Sequence, residues 1–331
     1  MNIKGLILGG SLLLSQGVAG IASAAPVPDP QQWLDRMAAS AKELTYQGEF
    51  IYQQGSSLET LSVIHHVDEK GKEKERILYL DGAPREMIRT DRELTFSNYS
   101  QGVTRFEHGP LIPMVDKFSQ QSLGKNYELK VAGLDRVAGR EAVLMMVIPK
   151  DRFRYGYQIW IDRSFALLLK SMMIDDNGRI MERMQFTNLK VGEPLTGKML
   201  AELDKKHPEA DRVVTMNKAP DKKMTAPENW ETGWVPEGFI LKDRQIRPSP
   251  VSQQKVAALI YSDGIASFSI FVEKDETRIL SQASENIGAL AAVSKIYRDG
   301  ESYYHVTVVG EVPLSTAERV AVSVRPVKSG T

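Results

Sequence analysis

The chain has 331 residues, 42% hydrophobic and 25% charged, with 42 basic residues against 42 acidic ones and no cysteine. Such totals fit a folded soluble protein of about two domains rather than a disordered or membrane-spanning chain. The even charge argues against a nucleic-acid binder, and the missing cysteine removes disulfides, thiol nucleophiles, cysteine zinc sites and iron–sulfur clusters.

Residues 1–24 read as an export signal. Lys4 gives a positive start, Gly5–Leu14 is apolar but too short to span a bilayer, and Ala22-Ser23-Ala24 offers small residues for cleavage before Ala25. Lipid attachment would need a cysteine, so the mature chain is expected free in the periplasm. Asp29-Pro30-Gln31-Gln32 then supplies a capping residue, a proline at the first helical position and a glutamine three residues after the cap. Trp33, Leu34, Met37, Ala41 and Leu44 recur at helical spacing, which predicts an amphipathic helix over about 30–44.

Strand patterns follow at once. Tyr46–Gln53, Leu58–Val67, Lys74–Leu80 and Arg85–Thr90 are short β-rich runs separated by turn residues. Further runs lie near 94–99, 103–107, 127–132, 140–148, 155–161, 167–174 and 179–189. Close spacing implies an antiparallel meander, because parallel strands need long crossovers. Several runs are apolar on both faces: Val143–Ile148 has no polar residue, nor has Ile77–Leu80. A sheet with one wet face would alternate. The sheet is therefore expected to be covered on both sides, or curled so that one face lines an apolar interior while the other carries the helix. Six methionines between 145 and 184 suit an adaptable lining, and Ile77, Tyr79, Met145, Met173 and Met184 are its candidate residues. For any single methionine plain core packing is the better reading, and the lining rests on the whole pattern.

The character changes near 196. With 1–24 as signal and 25–195 as a large β domain, 196–228 has scattered Pro and Lys and reads as a linker. A small α+β domain follows over 229–331. Its strands are expected near 239–244, 256–261, 266–273, 289–298 and 303–309, with a final helix from about Pro313.

Chemical motifs are missing. His65 and His66 are adjacent, so on a strand they point to opposite faces, while His108, His207 and His305 are isolated. No metal-ligand spacing, nucleophile elbow, phosphate loop or dinucleotide fingerprint is present, so neither a catalytic residue nor a metal or cofactor is assigned. Arg85, Arg89, Arg152 and Arg154 are candidates to hold an anionic headgroup through charge-assisted bonds, although solvated turns account for them too. Phe239, Phe268 and Phe271 are candidate anchors for a protein partner, with core packing the better reading for at least two of them.

Several stretches together resemble one family. They are Trp33–Met37, Tyr46–Tyr52, Leu80–Glu86, Arg152–Lys170, Tyr261–Glu273 and Val308–Val320. In number and order they resemble the RseB/MucB regulators of the envelope-stress sigma factor. The resemblance implies a non-enzymatic α+β protein whose large domain is an open antiparallel β-barrel with a helix plug, similar to the lipoprotein carriers LolA and LolB. It implies binding to the periplasmic domain of the anti-sigma factor RseA or MucA, protection of that domain from the protease DegS, and release by lipid or lipopolysaccharide. The alternative is a periplasmic lipid or lipoprotein carrier. A homo-oligomer stays open, and the family's short motifs assign no binding residue.

Overall fold

The computed structural model describes residues 29–90, 93–98, 102–107, 117–118, 123–205, 212–214, 230–248, 255–275 and 282–327. The export signal, His108, His207 and most of the stretch between the two domains lie outside them.

Helix α1 (Pro30–Glu43) begins where the cap pattern places it, with the Asp29 side chain accepting the Gln31 N–H. It stops where Leu44 turns extended and gives its N–H to the Ser40 carbonyl. Trp33, Leu34 and Met37 are its buried stripe. The chain then enters β1 (Tyr46–Gln54), β2 (Ser57–Val67), β3 (Glu73–Tyr79), β4 (Arg85–Thr90), β5 (Glu93–Asn98) and β6 (Gly102–Glu107). Further along come β7 (Tyr127–Val137), β8 (Arg140–Pro149), β9 (Gly156–Asp162), β10 (Leu168–Ile174) and β11 (Ile180–Val191).

These strands form one sheet in the order β12-β6-β5-β4-β3-β2-β1-β11-β10-β9-β8-β7, where β12 is Arg212–Val214. Each run of hairpins is a meander, and the β1–β11 pairing joins the two runs. The ends, β7 and β12, are not paired to each other, so the barrel is open. Among the described residues of this sheet one pair is parallel, β12 with β6, which departs from the expected all-antiparallel meander. It is a three-residue addition reached by a long connection, which parallel pairing allows.

Directly paired residues share a face, so the register identifies the concave side. Phe50 faces Leu61 and Phe186, Val63 faces Ile77, Ile77 faces Met87, Met145 faces Ile159, and Met173 faces Tyr157. All the buried members of this set join one apolar cluster with Trp33, Leu34 and Met37. Helix α1 therefore sits on the same face as the apolar lining, not on the opposite one. The reason is economy of apolar surface: the helix stripe and the strand floor can only be dried by each other.

A short helix α2 (Gly197–Leu203), capped by Thr196, lies against the convex side of β3. Glu202 meets Arg76 at 3.1 Å, and Asp204 pairs with Lys74. The start of the stretch between the domains is thus fastened to the large domain.

The small domain has a six-stranded antiparallel sheet, β14-β15-β16-β19-β18-β17. Its strands are β14 (Ile240–Pro248), β15 (Lys255–Ser262), β16 (Ser267–Lys274), β17 (Ala283–Ile287), β18 (Leu290–Asp299) and β19 (Ser302–Gly310). Helix α3 (Leu314–Ser323) packs on β18 and β19 through Ala317, Val320 and Ala321. A two-stranded pair, β13 (Trp230–Thr232) with β20 (Val324–Pro326), ties the two ends of the domain together. Gly310 is required where β19 crosses Phe268, since a Cβ there would come within 2.4 Å of the Phe268 Cβ.

Candidate functional site

The candidate lining falls on one surface. Ile77, Met145, Met173 and Met184 are at most 3% exposed, and Tyr79 is partly buried beside them. Between α1 and this floor, the cleft bounded by Ala41, Tyr46, Leu168, Met184 and Phe186 holds only about 10 Å³, no more than one water needs. The interior is mainly apolar and, in this pose, filled by α1 with Ile265 and Ala289.

Arg85 and Arg89 lie four residues apart on β4, on the face of Met87, and so at two ends of the same floor. Arg85 meets Glu59 at 2.8 Å and stacks its guanidinium 4.1 Å over the Tyr79 ring. Arg89 meets Glu73 at 2.8 Å and Glu75 at 3.2 Å. Burial works against the Arg89 charge, but Glu75 and Glu73 outweigh it and hold the group above its ordinary range. Beside them His65 is fully buried, stacked 4.8 Å from the Tyr46 ring, with Nδ1 2.7 Å from the Leu44 carbonyl. Burial, helped by the Arg89 charge, lowers its pKa despite the Leu44 carbonyl and Glu73. Both arginines are thus on the lining side and both already hold carboxylates.

The other two arginines part company. Arg152 is exposed, whereas the side chain of Arg154, two residues on, has no exposure at all. Its Nη1 donates to Asp263 Oδ2 at 2.5 Å, and its Nη2 donates to the Glu237 carbonyl at 2.6 Å and to Asp151 Oδ2 at 2.8 Å. The Tyr127 hydroxyl donates to the same Asp263 oxygen at 3.1 Å. Burial pushes the Tyr127 phenol above its usual range, and the Asp263 charge adds to that. Arg154 is therefore no solvent-facing headgroup cation: its charge is neutralised inside the junction of the two domains. The sequence reads Ser262-Asp263-Gly264 as a turn, and it is one, with Asp263 Oδ1 accepting the Ile265 and Ala266 N–H groups. Nothing local marks the second oxygen as the partner of an arginine 109 residues away.

Of the candidate anchors, Phe239 and Phe268 are at most 5% exposed and pack against each other at 5.2 Å. They belong to the small-domain core and offer no ring to a partner. Phe271 points to the other face of β16 and is partly exposed.

Further contacts join the domains. The Thr316 hydroxyl donates to the Phe153 carbonyl at 3.1 Å, and Arg319 lies 3.9 Å over Trp234, which meets Phe153 edge to face. Lys117 pairs with Glu311. Near them Glu182 is buried and hydrogen-bonded to Tyr52; burial, then the Glu311 charge, raises its pKa. Ile265 and Ala289 of the small domain enter the large domain's apolar cluster. Two clefts of about 450 and 470 Å³ flank the Arg154–Asp263 pair, one lined by Lys150, Arg152 and Asp175, the other by Lys125, Glu237 and Lys242. Among the described residues no group of histidines and carboxylates is placed to hold a metal ion, and no helix is long and apolar enough to cross a membrane.

Two family models cover most of the chain: the MucB/RseB N-terminal domain matches residues 29–204 and the MucB/RseB C-terminal domain residues 224–325. The chain belongs to the MucB/RseB family. The sigma factor AlgU regulatory protein MucB of Pseudomonas aeruginosa is 38% identical over 318 residues, 96% of this chain and 97% of that protein. A structure of MucB in complex with MucA(peri) is 34% identical and superposes with a TM-score of 0.74, covering 91% of this chain and 100% of that one. A structure of MucB by itself is 33% identical and covers the same 91% of this chain and 99% of its own, with a TM-score of 0.59. Members of the MucB/RseB family are named as regulators of sigma factors, and this chain shares their two-domain architecture over its matched length.

Proposed function

We propose that this chain is a periplasmic, non-enzymatic regulator that binds the periplasmic domain of a MucA- or RseA-type anti-sigma factor and shields it from site-1 proteolysis of the DegS type. Lipid, with lipopolysaccharide as the reference ligand, releases it. The observation that carries the reading is the match to a MucA-bound relative over both domains, at 34% identity and 91% of the chain. The apolar floor supports the lipid half. Ile77, Met145, Met173 and Met184 form a continuous lining covered by α1 together with Ile265 and Ala289, and an acyl chain that displaces part of this cover keeps the floor dry. Arg85, stacked on Tyr79 and partly exposed at the end of that floor, has room to exchange its carboxylate for a phosphate.

Linkage makes the two ligands antagonists: if lipid binds a form with poor affinity for the anti-sigma fragment, each weakens the other by the same factor. The test is competition between purified mature chain, the anti-sigma periplasmic fragment and lipopolysaccharide. Lipid is expected to strip the complex in a pulldown, and an undiminished complex at saturating lipid overturns the release mechanism. No binding of the fragment at all overturns the regulator.

A further inference from the structure

The small domain does more than sit beside the barrel. Its Ile265, on the turn held by Asp263, and its Ala289 complete the apolar cluster that α1 and the strand floor begin. Asp263 therefore has two tasks on one carboxylate. One oxygen shapes the turn that carries Ile265, and the other takes Arg154 and Tyr127. Tyr127 and Phe239 flank the guanidinium at 5.6 and 5.1 Å, so the pair is walled by rings from both domains.

A dry ion pair of this kind adds little net affinity, because the desolvation of both charges offsets most of their attraction. What it adds is discrimination. A small shift that separates the groups while they stay dry is heavily penalised, whereas full separation lets water solvate both charges. The contact thus favours two states, fully closed and well open, over anything between. The closed arrangement seen here superposes at 0.74 on MucB with MucA(peri) and at 0.59 on MucB alone, at equal coverage of this chain.

We propose that Arg154 and Asp263 are positioning residues: they touch neither ligand, but hold the small domain in the pose that accepts the anti-sigma fragment. The same pose seals the apolar interior, so fragment binding and ligand entry belong to exclusive states of one catch. The sealing half deepens the lipid reading above, while the positioning half stands or falls without it.

The absence of cysteine makes the test direct. Spin labels at Glu128→Cys on β7 and Val322→Cys on α3, both exposed, report the distance between domains. The substitutions are Arg154→Ala and Asp263→Asn; the second keeps an oxygen for the Ile265 turn and removes only the charge. Each is expected to broaden the distance distribution, to weaken affinity for the MucA periplasmic fragment by about 10-fold or more through loss of the competent population, and to leave the domains folded by circular dichroism. Added fragment is expected to narrow the distances again. Uptake of the apolar dye N-phenyl-1-naphthylamine is expected to rise in both variants and to fall when fragment is added.

Unchanged distances in Asp263→Asn overturn the catch. Broadened distances with unchanged fragment affinity overturn its link to the partner. Unchanged dye uptake overturns the sealing half alone. Should the unsubstituted chain fail to bind the fragment, the regulator reading fails, yet the distances still decide whether the catch sets the pose.

Discussion

Arg89 and Arg154 are chemically near-identical sites that do different work. Each guanidinium holds two carboxylates, Glu73 and Glu75 in one case, Asp151 and Asp263 in the other, and each is kept charged against burial. The partners of Arg89 sit on the neighbouring strand of the same sheet, so parting them means unravelling β3 from β4. Arg154 reaches across to another domain, so parting it from Asp263 needs only a rigid displacement. The same ion pairing therefore stabilises a fold in one place and selects an arrangement in the other. What decides is the covalent path between the partners, not the strength of the bond.

Breaking the Arg89 site gives the largest effect on stability. Arg89→Ala removes the guanidinium 3.2 Å from the Glu75 carboxylate, itself 5% exposed, and is expected to destabilise the large domain by about 3 kcal/mol. Calorimetry checks this: the large-domain transition falls by several degrees and the small-domain transition stays. A joint fall of both transitions breaks the distinction drawn above. Next comes Tyr127→Phe, which keeps the buried ring but removes one donor to Asp263; a loss of about 1 kcal/mol is expected in the docking of the domains. Limited proteolysis between the domains should quicken while the large-domain melting temperature holds.

A smaller effect comes from pH. The folded pKa of His65 is lowered, first by burial, so the unfolded chain takes up that proton at a higher pH than the folded one. Stability from this group is full above the unfolded value near 6.5 and drains away as pH falls below it. Melting of the large domain from pH 8 to pH 5 should show the decline, and His65→Gln should flatten it; an equal slope in both proteins rejects the assignment. The smallest change in stability is expected for Arg85→Ala, under about 1 kcal/mol for a partly exposed pair. This substitution instead sharpens the contrast by function: lipopolysaccharide binding should weaken while fragment binding in the absence of lipid stays.

How far these sites could be read from the sequence follows from the range of the contacts. Helix α1 was legible to within a residue, since its cap, proline and apolar stripe are all local signals. The strands of the meander were legible because short β-rich runs alternate with turn residues along the chain. The apolar residues of the lining were legible as a set, whereas the position of Arg85 and Arg89 on the same face comes only from the register of β3 with β4. Strand β17 escaped because Ala283–Ile287 is exposed throughout and has no periodicity to detect. The side of the sheet that carries α1 escaped because an apolar stripe does not say which of two apolar faces it meets. Arg154 escaped for a third reason. A cation beside aromatics reads alike whether it faces water or a distant aspartate, and Phe239 and Phe268 were ambiguous in the same way. The resemblance to known relatives supplied the architecture but not these residues.

Asp263 holding both a turn and an arginine has a consequence for inheritance. Substitution at 154 leaves the buried Asp263 without its cation, and substitution at 263 leaves Arg154 only Asp151, so a change at one position favours a change at the other. Hybrids that join the large domain of one family member to the small domain of another put this to use. They should assemble where the two parents carry matching residues at these positions and come apart where they do not, whatever the overall identity of the halves.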